Sequence, residues 1–331
     1  MGKDKKIIKY NPFVSIICVT YNRRPFFPTF FQCIRNQDYP ASRYEIIIVD
    51  DGSDKIKDLV EKANIPQLKY FEVKDKMTLG KKRNYSHTLI DKRSKYITYF
   101  DDDDYHSPNR ISHSVEMLEK NKNALCAGSS ELYLYFKHIE KMYKFGPYGP
   151  NHGTAGTFTF RRELLDITKY DDDACLAEEK SFLKDYTIPF VQLDPLKCIL
   201  VISHEHNTFD KRTLLGNPND SCIILSDKTV DMFISRKNEI KIKNFFLKEI
   251  DSLLLDYDFG EPKHKPDVLN QIKKMEIERN SQQQQQQIII EIPGQAPRSL
   301  SNDEVVSLLK QQQNQIKELE EKCQLLQSQL L

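Results

Sequence analysis

An α/β fold, with a mixed but mostly parallel sheet and helices on both faces, is what this sequence predicts. Three observations lead there. Phe13-Val-Ser-Ile-Ile-Cys-Val-Thr20 and Tyr44-Glu-Ile-Ile-Ile-Val-Asp50 are compact β-branched runs, as strands buried on both faces should be. Helical periodicity alternates with such runs from residue 13 to about 205, a βαβαβαβ order that implies parallel pairing. The strands also stop at polar, mostly acidic residues, on the sheet edge where such folds bind ligands.

The elements follow in order. After the strand 13–20, Pro25 and Pro28 open a helical stretch to about Asn36. The strand 44–50 is stopped by Asp51-Gly52-Ser53. Residues 54–63 read as a helix, 68–73 as a shorter strand and 79–90 as a helix. The strand 95–100 feeds four consecutive aspartates, and Pro108 stands near the start of the next helix. Residues 131–145 alternate like an antiparallel ribbon, 154–160 suit a strand, 176–186 a helix and 197–203 a last strand. Residues 228–257 contain amphipathic helix, with Phe245, Phe246, Leu253, Leu254 and Leu255.

Composition shifts after Asp258. Pro262, Pro266, the glutamine run 282–287, Pro293 and Pro297 suggest a low-complexity linker over 258–300, behind a domain spanning 1–257. Residues 301–331 regain helical periodicity. Leu309, Ile316, Cys323 and Leu330 fall seven apart, Val305, Leu319 and Leu326 fill a second seam, and Gln312 interrupts it. A short coiled coil and a homo-oligomer are the expectation; an amphipathic helix folded onto the domain is the alternative.

Bulk properties narrow the partners. The 331 residues are 39% apolar and 29% charged, enough for a real core. A formal net charge of +1 makes no case for nucleic acid or an anionic membrane. Seven cysteines without a C-x-x-C pair suggest free thiols in a reducing compartment. No run approaches the roughly 20 apolar residues of a spanning helix. The expectation is a soluble, cytoplasmic chain, with peripheral membrane attachment or a virion as further settings.

Four polar constellations carry chemistry. Asp101, Asp102, Asp103 and Asp104 at a strand end offer hard oxygen ligands for a divalent cation and, through it, a diphosphate; a solvated acidic turn is the bland alternative. Thr20, Tyr21, Asn22 and Arg23 follow the first strand, and Asp50, Asp51, Gly52 and Ser53 the second. Ring, amide and carboxylate there suit a nucleobase and ribose, although Ser53 also reads as a helix cap. Neither G-x-G-x-x-G nor a P-loop occurs. At Thr78-Leu-Gly-Lys-Lys-Arg-Asn84 a helix start brings cations, Lys81 and Arg83 foremost, suited to phosphate oxygens.

In this order and spacing, Val-Thr-Tyr-Asn, Val-Asp-Asp-Gly-Ser, Gly-Lys-Lys-Arg-Asn and Phe-Asp-Asp-Asp-Asp with Pro108 resemble family 2 glycosyltransferases of the GT-A fold. The chain looks similar to uncharacterised members from large DNA viruses. The resemblance covers about residues 13–209. It implies a D-x-D motif at Asp101 and Asp103, with Asp103 on Mn2+ or Mg2+, Asp101 near ribose and metal, and Asp102 on the donor side. Asp104 matches the extra acid before the proline. Asp50 or Asp51 would meet the nucleoside.

The same resemblance places a catalytic base in the acid pair Glu178-Glu179, normally at the second position. A helix-start pair favoured by the macrodipole is the alternative. His204, in His204-Glu-His-Asn-Thr208, maps to a histidine that completes the metal shell or touches the diphosphate, with His206 as its competitor. His152 and Gly156, in a Gly-rich loop before Arg161, are assigned only to the donor-sugar and acceptor neighbourhood.

The implied reaction is inverting, metal-dependent transfer of a sugar from a nucleotide diphosphate sugar, UDP-linked by preference. Its acceptor would be a hydroxyl on a glycan, a protein or a small molecule. A sugar nucleotidyltransferase is one rival, but the Gly-rich loop usual after its first strand is missing from 21–25. The second rival, a non-catalytic oligomeric scaffold, predicts no divalent-dependent UDP binding.

Overall fold

The computed structural model describes residues 11–207, 210–216, 221–285, 289–290 and 298–329, and divides into a unit ending at Leu269 and one beginning at Asn270. In the first unit the strands are β1 (Phe13–Thr20), β2 (Tyr44–Asp50), β3 (Leu68–Glu72), β4 (Ser94–Tyr99), β5 (Tyr105–His106) and β6 (Cys126–Gly128). There follow β7 (Leu132–Phe136), β8 (Lys141–Phe145), β9 (Thr159–Arg161), β10 (Phe190–Gln192), β11 (Ile199–Ser203) and β12 (Ile223–Leu225). The main helices are α1 (Phe27–Arg35), α2 (Lys57–Ala63), α3 (Leu79–His87), α4 (Arg110–Lys120) and α5 (Glu179–Phe182).

Seven strands form one sheet in the order β10-β6-β9-β4-β1-β2-β3. β4, β1, β2 and β3 are parallel, and β9 alone runs against its neighbours. The unbroken apolar runs of β1 and β2 are explained by burial on both faces. Ile16, Cys18, Ile46 and Ile48 pack with α1, α2 and α4, whereas Ile17, Ile47 and Val49 face Phe158, Phe160 and Phe182. The mixed, mostly parallel α/β architecture implied by the sequence is therefore the one observed.

A second sheet, β12-β8-β7-β11-β5, contains the expected antiparallel ribbon as β7 and β8. Three short helices, α6 (Val230–Phe233), α7 (Ile240–Asn244) and α8 (Ile250–Leu255), supply Phe233, Ile242 and Leu254 to its core, and the stretch between the last two adds Phe245 and Phe246. A π-helical stretch, Phe245–Glu249, interrupts the single amphipathic helix that periodicity suggested there. The helix expected over 176–186 is confined to the four residues of α5. Lys184, Asp185 and Tyr186 all have left-handed backbone, which ends it.

The domain edge also differs from the compositional one. Packing continues past Asp258: Gly260, Lys265 and Val268 are buried, and Leu269 closes the unit. Pro266 then starts a twenty-residue helix, α9 (Pro266–Gln285), so 258–285 is not an unstructured linker. Proline marks a helix start here rather than a break. Gln286 and Gln287 lie outside the described residues.

Within the second unit, Ile289–Ile290 pairs with Arg298–Ser299, and α10 runs from Asn302 to Gln329. Leu309, Ile316 and Leu319 of the heptad seam are exposed, as is Cys323. Leu330 lies outside the described residues, and the side chain of Leu326 is likewise not described. Among the described residues no helix is long and apolar enough to cross a membrane.

Candidate active site

Strand register assembles the site. Thr20 is opposite Asp50 across β1 and β2, and Ile17 is opposite Tyr99 across β1 and β4. The three polar strand ends therefore share one edge. The aspartate turn leaves β4 of the larger sheet and enters β5 of the smaller one. β11 runs antiparallel to β5, with Ile199 opposite His106 and Leu200 opposite Tyr105. Carried forward, that register brings His204 back to the turn.

The aspartates are held from below. His106 stacks on Phe100 at 4.1 Å, and its Nε2 lies 2.8 Å from the Asp101 carbonyl oxygen. A carbonyl only accepts, so Nε2 carries the proton. Burial lowers the pKa of this imidazole to about 3, which keeps the ring neutral. The side chain of Asp101 is 33% exposed, whereas Asp102 and Asp104 are buried.

Arg23 spans the cluster. Its Nε is 3.8 Å from Asp102 Oδ1, its Nη2 3.4 Å from Asp103 Oδ2, and its Nη1 donates to the His206 carbonyl at 2.5 Å. Burial and neighbouring carboxylates raise the pKa of Asp102 to about 7, against the pull of Arg23. Burial also raises Asp104 and Asp101. Asp103 is the exception: burial opposes its charge, but Arg23 helps hold it well below the usual carboxylate range. One firm negative charge sits among three acids that ionise reluctantly, an arrangement that an added cation relieves.

His204 faces Asp103, with Nε2 3.4 Å from Oδ2. Asn207 Oδ1 accepts the His204 backbone N–H at 2.9 Å, so the Asn207 amide nitrogen is turned toward His204 Nε2, also at 2.9 Å. Nε2 therefore accepts and keeps its lone pair, and burial lowers the imidazole pKa to about 4. His206 points elsewhere, tilted 6.2 Å from the Tyr257 ring; only its carbonyl serves the cluster. Of the two histidines, His204 alone is recorded against an aspartate of the turn.

The acid pair splits into two roles. Arg83 donates from Nε to Glu178 Oε1 at 2.8 Å and reaches Asp101 Oδ1 at 4.0 Å, while its guanidinium covers the Tyr99 ring at 4.2 Å. Glu178 is thus buried and paired. Among the described residues Glu179 has no ion pair, and burial followed by the charge of Glu178 raises its pKa to about 7. Ala177, held at φ 54°, turns the chain immediately before the pair.

Both glutamates, Arg83, Asp101, Asp103 and Asp104 line one cleft of about 470 Å3. Leu132, Leu134, Phe145, Ile199, Val201 and Leu214 form an apolar wall. Gly156 forms part of the rim, where a Cβ would stand 2.5 Å from Asp101 Oδ2; glycine is what lets the loop approach that carboxylate. His152 lies behind this rim, its ring between Tyr148 and Tyr186 at 5.0 and 4.9 Å.

Several residues that the motifs singled out hold the scaffold instead. Asp50 accepts from Gly52 N at 2.9 Å and from the Tyr70 hydroxyl at 2.6 Å, so it folds its own turn. Asp51 accepts from Met77 N at 2.7 Å and pairs with Lys82. Asn22, at φ 53°, accepts from Asp54 N at 2.9 Å and donates to the Phe259 carbonyl at 3.0 Å. Thr20 is buried, its carbonyl 3.1 Å from Lys82 Nζ. Arg161 braces the end of α4 through the Leu118 and Ala124 carbonyls. The α3 start is not an open phosphate cradle either, since Gly80 N donates to the Ala174 carbonyl at 2.9 Å.

Lys81 is exposed, and the lysine at the strand edge is Lys82, buried beside Asp51. A helix turns about 100° per residue, so only some of three consecutive cations can face the sheet. Tyr21 stays at the edge, its ring 5.1 Å from Lys76 Nζ and 5.8 Å from Lys82 Nζ. Sequence reasoning missed Lys76, Lys82 and Lys265. Helical phase, with the α3 start known, would have found Lys82; Lys265 lies past the compositional break and gave no signal.

The mixed sheet, with its acidic turn at the carboxyl ends of parallel strands, is that of a GT-A domain. Residues 15–177, just under half of the chain, match the model of the family described as Glycosyl transferase family 2. An uncharacterized glycosyltransferase of Rickettsia felis is 32% identical over 137 residues, covering 39% of this chain and 21% of that protein. WcaA of Escherichia coli K12, named as a colanic acid biosynthesis glycosyl transferase, is 32% identical over 108 residues, covering 32% of this chain and 37% of its own. The chain thus spans well under half the length of either relative. Among solved structures, the Pyrobaculum calidifontis mannosyltransferase PcManGT, in complex with GDP-Man and Mn2+, gives a TM-score of 0.48 at 15% identity, over 60% of this chain and 59% of that one. S. aureus TarS 1-349 gives 0.47 at 16% identity, over 78% of each chain.

Proposed function

We propose that this chain is an inverting glycosyltransferase that moves a sugar from a nucleotide diphosphate sugar, UDP-linked in the first instance, to a hydroxyl acceptor. One observation carries the reading: Glu179, its pKa raised to about 7, and the aspartate turn open on the same cleft, with Arg83 between them. A proton acceptor and a leaving-group site are thereby offered to one substrate pair.

The residues fit a divalent cation that is completed by substrate. Among the described residues no three His, Cys, Asp or Glu side chains form a ready metal cage. Mg2+ and its relatives are commonly held by one or two carboxylates plus substrate phosphates, which needs no such cage. Asp103 and Asp101 would hold the ion, and His204 Nε2 lies 3.4 Å from Asp103 Oδ2. When bound, the cation supplies Lewis-acid neutralisation of the departing diphosphate.

The chain's own groups do the remaining work. Glu179 takes the proton of the acceptor hydroxyl as its oxygen attacks the anomeric carbon opposite the diphosphate. The bond to the diphosphate breaks as the new one forms, and the electron pair leaves on phosphate oxygen. Arg83 neutralises Glu178, so that one glutamate is structural and the other free to titrate. The apolar wall from β7, β8 and β11 excludes water that would otherwise compete as acceptor.

A screen of nucleotide sugars with Mn2+, read as released nucleotide, tests the activity. UDP should bind in calorimetry only when Mn2+ or Mg2+ is present; folded protein giving no heat with UDP and Mn2+ would sink the UDP reading. Gly156→Ala is expected to push the Asp101 carboxylate aside. Overpacking of this kind costs about 1–3 kcal/mol. If that cost falls on the bound state, donor affinity should drop by roughly five- to 150-fold in the same titration, by the conversion of about 1.4 kcal/mol per decade. The exposed seam of α10 supports self-association, which sedimentation of the chain with and without residues 301–331 would reveal.

A further inference from the structure

Glu179 shares its end of the cleft with a row of three rings. Tyr148 lines that cleft and is 48% exposed; its ring is 5.0 Å from His152, which stands 4.9 Å from Tyr186. Burial first, then the nearby charge of Glu179, raises the Tyr186 pKa, which sets the far ring beside that glutamate. Left-handed backbone at Lys184, Asp185 and Tyr186 is costly for residues with a Cβ, and it forms the turn that sets Tyr186 against His152.

An exposed tyrosine alone calls for no explanation, but this one stands on a pinned loop. Gly146 N donates to the Cys222 carbonyl at 2.8 Å, and Thr154 N to the Ser129 carbonyl at 3.1 Å. Between them Gln192 Nε2 donates to the Pro150 and His152 carbonyls, both at 2.8 Å, while its Oε1 accepts from Ser130 N at 2.9 Å. Gly146 has φ 85°, and a Cβ there would meet the Ser130 carbonyl, so glycine is what starts the loop. The surroundings of the ring are neutral. Burial lowers the His152 pKa, which leaves that imidazole uncharged at neutral pH. Leu132, Leu134 and Phe145 line the same cleft. Its cations gather at the aspartate turn: Arg23 and Arg83 reach the acids there, and the charge of Lys211 acts on Asp101, Asp103 and Asp104. Lys180 and Asp185, close to Tyr186 in the chain, pair with each other at 3.6 Å.

A pyranose offers an apolar C–H face close to an aromatic ring in area, with hydroxyls around its rim. Such a body matches an exposed ring among aliphatic side chains, with Glu179 and Thr154 in the same cleft for its hydroxyls. A serine or threonine side chain has no face to stack. We propose that Tyr148 is the acceptor platform: its ring stacks on a neutral sugar of the acceptor, which is therefore a carbohydrate. The inference rests on the glycosyltransferase reading above and deepens it by naming the acceptor class. Tyr148 binds and orients the sugar, Glu179 takes the proton of its hydroxyl, and Tyr186 backs the row through His152.

Full-length wild-type, Tyr148→Ala and Tyr148→Phe proteins, each checked for native circular dichroism and thermal midpoint, test this with UDP and Mn2+ present. The probes are the methyl pyranosides of glucose, galactose, mannose and N-acetylglucosamine, titrated by saturation-transfer NMR. N-acetylserine amide and N-acetylthreonine amide serve as ringless hydroxyl controls. At least one pyranoside is expected to bind the wild type, with affinity falling roughly ten-fold or more in Tyr148→Ala and less than about two-fold in Tyr148→Phe. UDP affinity, read by calorimetry with Mn2+, should stay within about two-fold across the three proteins. Folded Tyr148→Ala that binds the pyranoside as the wild type does overturns the proposal, and so does wild-type protein that binds UDP but no pyranoside. Binding of the ringless amides on a par with the sugars, or a loss in Tyr148→Phe equal to that in Tyr148→Ala, overturns it as well. In each of these cases the glycosyltransferase reading stands. Equal loss of UDP and sugar binding in Tyr148→Ala reduces the residue to a packing role and overturns the proposal too. Should the wild type bind no UDP, the proposal and the reading beneath it fall together.

Discussion

Asp103→Ala is expected to lower sugar transfer by at least two orders of magnitude in a protein that remains folded. Asp103 is the one aspartate of the turn that stays firmly ionised, and it faces both Arg23 and His204. Removing a group that stabilises developing charge in a closed site costs about 2.7–4 kcal/mol. The fold should tolerate the change, since relief of repulsion lets Asp102 and Asp104 ionise more readily. The loss should fall on turnover, and the dependence on Mn2+ concentration should flatten. Folded Asp103→Ala protein with wild-type turnover would contradict the placement of the leaving group at this turn.

Glu179→Gln should have an effect of similar size and a different signature. General base catalysis contributes about 10²- to 10⁴-fold, and glutamine preserves shape while removing the lone-pair basicity. The pH profile is the sharper measurement. Burial and Glu178 place the Glu179 pKa at about 7. The base works only when ionised, so turnover should rise with pH through about 7 and level off above it. Glu179→Gln should erase that limb. Glu178→Gln should shift it to lower pH, because the charge that raises Glu179 is gone while Arg83 remains. A rising limb that survives Glu179→Gln would assign the base to another group.

Strand identity was legible because both-face burial leaves an unmistakable signature. Val14, Ile16, Ile17, Cys18 and the β2 run are all buried, so no polar alternation could survive in them. Strand ends were legible for the same reason: polarity resumes where the sheet stops. Individual roles at those ends were much less so. Asp50 and Asp51 look equivalent in sequence, yet neither is free, because Tyr70, Met77 and Lys82 reach them from elsewhere and Gly52 from their own turn. Glu178 and Glu179 were indistinguishable until Arg83, 95 residues earlier, was seen to take one of them. Proline and glutamine composition concealed the last part of the domain, since a few anchored residues suffice to dock a polar segment.

The aspartate turn carries the chain from β4 of one sheet directly into β5 of the other. Its two flanks therefore answer to two separately packed layers, with Asp101 anchored beside β4 and His204 delivered by β11. A small slip of one layer against the other would alter the spacing between them without breaking either core. Substitutions in the layer interface, remote from any ligand, should for this reason alter turnover and its metal dependence as well as the melting temperature.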